Sequence, residues 1–353
     1  MLHALQIQKL LIKIDTVKSP YDRVKLVKEA INIADTHNDT GWGFDLRKQI
    51  IEEEKATSSC IESLPAFTWI LERYEQEPEL CDERDFMMEY KWMIQATRRN
   101  ADVSMKQFES IIADYKTRLL RNGYSLHSYY TARAQMAFQQ HKLDEAKEYL
   151  SLRKSEKRDD LSFCVACEIH DLVEYEVLAG DIDKVFAVGA DLFSGKESCK
   201  YIPFQTICLC VNMLDEYGDS DSAEEFFEIA ESNLEKMQTV DMSNIGYAGK
   251  LIHYLIKKDK NKAWNFFEKY LLWSLNCEDY YNFQFSSGVL SLFKGSGTRR
   301  LNISSEIPWY NPSGIYELPV LYDYYRNQAA TLAAKFDARN NCSNFASELD
   351  SML

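Results

Sequence analysis

The stretch AFQQHKLDEAKEYL, residues 137–150, changes character within a few positions. A helical rhythm ends, a short polar turn follows at His141, and a second helical rhythm carries Ala146 five residues past the turn and Leu150 four beyond that. LDEYGDSDSAEEFFEIA, residues 214–230, repeats the arrangement around Gly218, with Ala223 and Phe227 in the corresponding places. Extending this spacing in both directions marks turns at Lys18, Ser59, Asn100, His141, Gly180, Gly218 and Lys258, separated by 41, 41, 41, 39, 38 and 40 residues. The residue five past each turn, or its neighbour, is Val24, Leu64, Met105, Ala146, Val185, Ala223 and Ala263, apolar in every case. Apolar side chains on the flanking segments recur at helical spacing, as in Ile7, Leu10, Leu11 and Ile14, or Ile207, Cys210, Val211 and Leu214. A fixed period of this length is the mark of a repeat architecture, here a stack of helical hairpins.

The unit resembles the helix-turn-helix of tetratricopeptide (TPR) repeats, in which a small residue lets the second helix pack closely on the first. The period exceeds the usual length of about 34 residues, and the Trp-Leu-Gly-Tyr signature and the closing proline are missing. The resemblance therefore implies a TPR-like α-solenoid with divergent repeats, HEAT-like or other solenoids remaining open. The expected fold is all-α, a right-handed superhelical array of about eight helical hairpins. Residues 1–294 form the hairpin repeats, and residues 295–353 complete the last hairpin within one continuous domain. Gly180 and Gly218 suit left-handed helix ends, and Asp181, Asp219 and Asp221 offer oxygens to the N–H groups that open the next helix.

Composition agrees with a folded helical chain: 46% apolar and 27% charged residues, with only 7 prolines and 13 glycines in 353 residues. Fifty-five acidic against 41 basic residues give a formal charge of −14, the wrong sign for a surface that neutralises phosphates or anionic lipid. The apolar N-terminal run, residues 2–14, is interrupted by Gln6, Gln8, Lys9 and Lys13 and reads as an amphipathic helix, not a leader. No run approaches a membrane span, and nine scattered cysteines suit reduced thiols, so a cytoplasmic protein is expected, with neither nucleic acid nor membrane as partner.

An eighth turn is due near position 298, where the sequence instead inserts KGSGTRRLNISSEIPWYNPSGIYELP between a first helix of about 278–294 and a second of about 318–340. Loops of this length in compact arrays are functional or disordered, and three prolines with six Trp and Tyr residues between 307 and 325 argue against disorder. Two roles are compatible with residues 295–317: a cap over the last unit, with Trp309, Tyr310, Tyr316, Tyr322 and Tyr325 folded over it, or a wall of a binding site. For the second role the candidate residues are Arg299, Arg300, Trp309, Tyr310 and Tyr316. The C-terminal helix is expected to run to about Arg339 and to be followed by an Asn-rich turn and a frayed tail.

By the same resemblance, the first helix of each hairpin lines an inner groove. Positions 13, 10, 6 and 3 before the middle turns are Ser128, Thr131, Gln135 and Phe138, then Cys167, His170, Glu174 and Val177, then Gln205, Cys208, Asn212 and Asp215. Gln135, Gln205 and Asn212 carry the donor and acceptor pairs that hold an extended peptide, His170 and Glu174 add titratable groups, and Tyr90 and Tyr247 of outer repeats offer aromatic surface. A solvated helix face is the plainer alternative.

Six scattered histidines and the lack of phosphate-binding or nucleophile motifs give no indication of an enzyme. FCVACEIHDLVEYE sets Cys164, Cys167, His170 and Glu174 on nearby helical turns, and the ladder puts Cys208 beside His170. Cys167, His170 and Cys208 are thus a weak zinc set. Cysteine as a small apolar filler is the preferred reading, and no cofactor is expected. The sequence-level expectation is a scaffold that binds a protein or peptide segment in a solenoid groove. The alternatives are a peptide- or ligand-responsive regulator without its own output domain and, less favoured, an enzyme with a loop-closed pocket.

Overall fold

The computed structural model describes residues 2–57, 60–237 and 242–352 and is 76% helix and 2% strand. Among the described residues the hairpin pairs are α1 (Leu2–Thr16) with α2 (Pro20–Thr36), α3 (Thr40–Thr57) with α4 (Ser63–Gln76), and α5 (Met87–Arg99) with α6 (Met105–Arg121). Then come α7 (His127–Gln139) with α8 (Leu143–Ser155), α9 (Val165–Ala179) with α10 (Ile182–Phe193), and α11 (Phe204–Tyr217) with α12 (Ser220–Lys236). The last are α13 (Ile245–Lys258) with α14 (Lys260–Tyr270), and α15 (Asp279–Val289) with α16 (Leu318–Asn340), followed by α17 (Asn344–Met352). Every turn on the sequence ladder falls between two of these helices except that Lys258 is the last residue of α13 and Ser59 lies outside the described residues. No helix among the described residues is long and apolar enough to cross a membrane.

Contacts divide the chain into two compact units, Met1–Thr97 with Ile111–Tyr124, and Arg98–Ser110 with Ser125–Leu353. The division falls within the α5–α6 hairpin. The first unit buries Val27, Ile50, Phe67, Ile70, Phe86 and Tyr115. Its polar centre is Arg118, which donates to Asp114 at 2.6 Å and to Glu75 and Glu83 at 2.7 Å each.

In the second unit the first helices pack in a row, α7 on α9, α9 on α11, α11 on α13 and α13 on α15, each also packed on its own second helix. The residue five past the turn explains the pairing: Ala146, Val185, Ala223 and Ala263 are each fully buried. In the earlier hairpins Val24, Leu64 and Met105 are only half-buried. The turns use the predicted chemistry, with Gly180 (φ 72°) and Gly218 (φ 89°) left-handed. Asp181 accepts from the Lys184 N–H at 3.1 Å and Asp219 from the Ser222 N–H at 3.2 Å, while Asp221 sits in the first turn of α12.

Neighbouring first helices are joined in two ways. Polar side chains bridge α7, α9, α11 and α13. By contrast, α13 and α15 meet backbone to backbone: a Cβ on Gly288 would stand 2.5 Å from the Gly249 carbonyl oxygen, and one on Gly249 2.8 Å from the Phe285 Cα.

The row is also tied at its ends, because α16 returns to the segment Arg98–Ser110 and to α7. The buried Arg339 guanidinium donates to the carbonyls of Arg98 (2.9 Å) and Asn100 (3.0 Å) and to Gln139 Oε1 (2.9 Å). Arg99 donates to Glu278 at 2.5 Å, and the Ala101 N–H to Asp279 at 2.8 Å. The expectation of a frayed tail is corrected here. Asp337 accepts from the Phe345 and Ala346 N–H groups at 3.0 and 2.9 Å, capping α17, whose Phe345 and Leu349 are buried.

The inserted loop is ordered on a two-stranded antiparallel hairpin, β1 (Thr298–Arg300) and β2 (Ile315–Glu317), with Arg299 opposite Tyr316. Between the strands Leu301 and Ile307 are buried, and Trp309 lies parallel to Phe267 at 6.4 Å and edge-on to Tyr316 at 5.2 Å. The loop aromatics therefore extend the core of α14, α15 and α16.

Candidate functional site

The polar residues expected to face a groove separate into two sets. Gln135 donates to Asp171 at 2.9 Å, and the buried Arg153 reaches the other oxygen of that carboxylate at 2.5 Å. Gln205 donates to Asn244 at 3.0 Å and Asn212 to the Lys250 carbonyl at 2.9 Å. These three amides are rungs between adjacent first helices, one repeat apart. Tyr90 belongs to neither set. It is 3% exposed in the first unit, donates to Asp114 at 2.6 Å, and packs between Phe67 and Tyr115.

His170, Glu174 and Tyr247 are brought together. His170 Nδ1 shares a hydrogen bond of 2.8 Å with Thr206, which fixes the ring and leaves Nε2 facing outward from that contact. One helical turn on, the half-buried Glu174 carboxyl is pushed above its usual range by burial, against the pull of His170, Arg98 and Lys250 nearby. Burial holds the Tyr247 phenol well above its ordinary pKa, with Tyr281, Glu174 and Tyr280 adding to the effect. Tyr280 is raised by burial and by Glu174, and the Arg98 guanidinium lies 5.9 Å over its ring.

Glu174 thus lies in a cluster with His170 of its own helix, Tyr247 and Lys250 of α13, Tyr280 of α15 and Arg98 at the end of α5. Glu174, Tyr247, Tyr280 and Lys250 are half-buried residues whose side chains make no hydrogen bond to another described residue and whose polar atoms water still reaches. Polar groups that keep only water as a partner are open to a ligand able to replace that water. Arg98, Lys250, Tyr280 and Tyr281 escaped the sequence reading because the segment that carries Arg98 is held by α15 and α16, a contact spanning more than half the chain.

Among the loop candidates, Tyr316 is buried with its hydroxyl accepting from the Asn311 N–H at 3.0 Å, and Arg299 lies 4.3 Å over the buried Trp264. Trp309 is half-buried against the core, whereas Tyr310 and Arg300 face solvent, Arg300 at 3.4 Å from the Ser313 carbonyl. Cys167, His170 and Cys208 do not converge: Cys208 is fully buried in the apolar core, His170 is bound to Thr206, and Cys167 lies with Cys164 and Cys199.

Compared with known proteins, the chain matches no family model, no curated protein and no solved structure.

Proposed function

We propose that this chain is a TPR-like α-solenoid whose second unit binds a protein or peptide segment along the inner face of α9, α11, α13 and α15. The observation that carries the reading is the cluster around Glu174 of half-buried residues whose polar atoms make no hydrogen bond to the protein and stay open to water. The Glu174 carboxylate accepts from backbone N–H groups or a donor side chain of the segment. The Tyr247 and Tyr280 hydroxyls and Lys250 donate to its carbonyls, and the phenol rings supply rigid contact area at little entropic cost. The Arg339 tether holds Arg98 beside this surface before any ligand arrives, which lowers the ordering needed on binding. The loop aromatics Trp309 and Tyr316 hold the last hairpin in place, and Tyr310 and Arg300 are the loop groups that remain available to a partner.

The test is a random peptide display library panned against the intact protein, with enriched peptides measured by calorimetry. Glu174→Gln and Tyr280→Phe are each expected to weaken binding about tenfold, the loss of one hydrogen bond to a charged or half-buried group, with no drop in melting temperature. Failure to enrich any peptide, or peptides indifferent to both substitutions, overturns the reading.

A further inference from the structure

Cys164 and Cys167 stand at the N-terminus of α9, and Cys199 comes from the connection between α10 and α11. Cys164 is the N-cap, its sulfur accepting from the Cys167 N–H at 3.4 Å. The Cys164 and Cys167 sulfurs are 3.0 Å apart, Cys167 and Cys199 are 3.8 Å apart, and all three lie within 4.8 Å of one another. All are free thiols. A backbone bond from the Cys199 N–H to the Ile202 carbonyl at 2.8 Å folds the connection back at Cys199, and Ala166, Leu192 and Ile202 wall the group on its inner side. The outer side is open, since Cys164 is exposed.

We propose that these three cysteines bind one soft, closed-shell divalent cation, of which zinc suits the donor set best, with the remaining position of its tetrahedron taken by a ligand from outside the group. Two thiolates at about 2.3 Å from a tetrahedral zinc stand about 3.8 Å apart. Cys167 and Cys199 already have that separation, and Cys164, exposed and free to turn about its side-chain bond, has only to swing outward. Binding releases the thiol protons to solvent, and the developing negative charge lies at the positive end of α9. Arg158 donates to the Phe163 carbonyl at 2.7 Å on the same side. A dithiol switch would use the Cys164–Cys167 pair alone and gives no reason for a third thiol brought in from 32 residues away. The bound ion would fasten the α9–α10 hairpin to the entry of α11, so it stabilises the folded chain by mass action. The inference stands independently of the peptide site.

Reduced, chelator-treated full-length protein titrated with cobalt(II) tests it. One equivalent is expected to give thiolate charge-transfer and tetrahedral ligand-field absorption, displaced by zinc, and zinc is expected to raise the melting temperature. Cys199→Ser and Cys164→Ser, the latter preserving a good N-cap, are expected to weaken binding by more than about 100-fold, since even outer-shell partners are worth 10–100-fold. Cys81→Ser is expected to leave it unchanged. Absence of the thiolate band in the reduced protein, a band that survives Cys199→Ser in a folded variant, or a native Cys164–Cys167 disulfide in protein that binds no metal when reduced would each overturn the proposal.

Discussion

Gln135, Gln205 and Asn212 stand on the same row of helices as Glu174, Lys250, Tyr247 and Tyr280, yet the two sets have opposite fates. Each amide spends its side chain on the neighbouring first helix, at hydrogen-bond distances of 2.9 to 3.0 Å. The second set makes no hydrogen bond to another described residue and keeps its polar atoms open to water. Residue chemistry does not separate them. What separates them is whether the neighbouring helix presents a matching group, as α9 presents Asp171 to Gln135. Removing a rung is therefore expected to act on stability, and under the proposed function removing a group of the Glu174 cluster acts on binding.

The largest expected effect comes from the best-partnered rung. Asp171→Ala leaves the buried Arg153 without its carboxylate and Gln135 without its acceptor, and uncompensated buried charge of this kind costs about 3–5 kcal/mol. Chemical denaturation should show the drop in the second unit; an effect near zero would erase the distinction between the rungs and the Glu174 cluster.

His253, on α13, tests an intermediate case, a polar group that is buried but has no partner on Nδ1. Burial, helped by Lys257 and Lys250, pushes its pKa down to about 4. The unfolded chain takes up a proton near pH 6.5 and the native chain only near 4, so stability falls as pH drops through that window, by up to about 3 kcal/mol from this residue. Stability measured from pH 7 to pH 4 should fall less steeply in His253→Gln than in the wild type. Identical slopes would show that the imidazole is not held neutral by the fold.

The smallest effect is expected in the Glu174 cluster. Glu174→Gln removes a carboxyl that burial holds above its usual range, so ionised Glu174 opposes folding at neutral pH. The substitution should be neutral or slightly stabilising there, with the difference shrinking as pH falls and the carboxyl protonates. A clear loss of stability in thermal melts would mean that Glu174 is a rung after all.

The hairpins were legible in the sequence because turns and helix ends are local events. A left-handed residue such as Gly180 and a capping Asp181 act within a few positions of each other, and the small residue five past the turn needs only its own partner helix. The Leu318–Asn340 helix and the break before it were legible for the same reason. The candidate cluster was legible in part. The offset from the turn that named His170 and Glu174 also named Gln135 and Asn212, whose partners lie 36 and 38 residues away. Cys167 was paired on paper with His170 and Cys208 by helical spacing, whereas the group it joins is completed by Cys199 in an irregular connection that no periodicity describes.

From the sequence alone came the helical class, the number and spacing of the hairpins and the placing of the aromatic insertion, all consequences of short-range sterics and hydrophobic patterning. Tertiary structure decided the rest. It chose which polar side chains are consumed between helices, closed the second unit through Arg339, turned the insertion's tryptophan and Tyr316 inward, and gathered three cysteines from two segments. Those outcomes depend on contacts between residues tens to hundreds of positions apart, whose geometry is set only when whole helices pack.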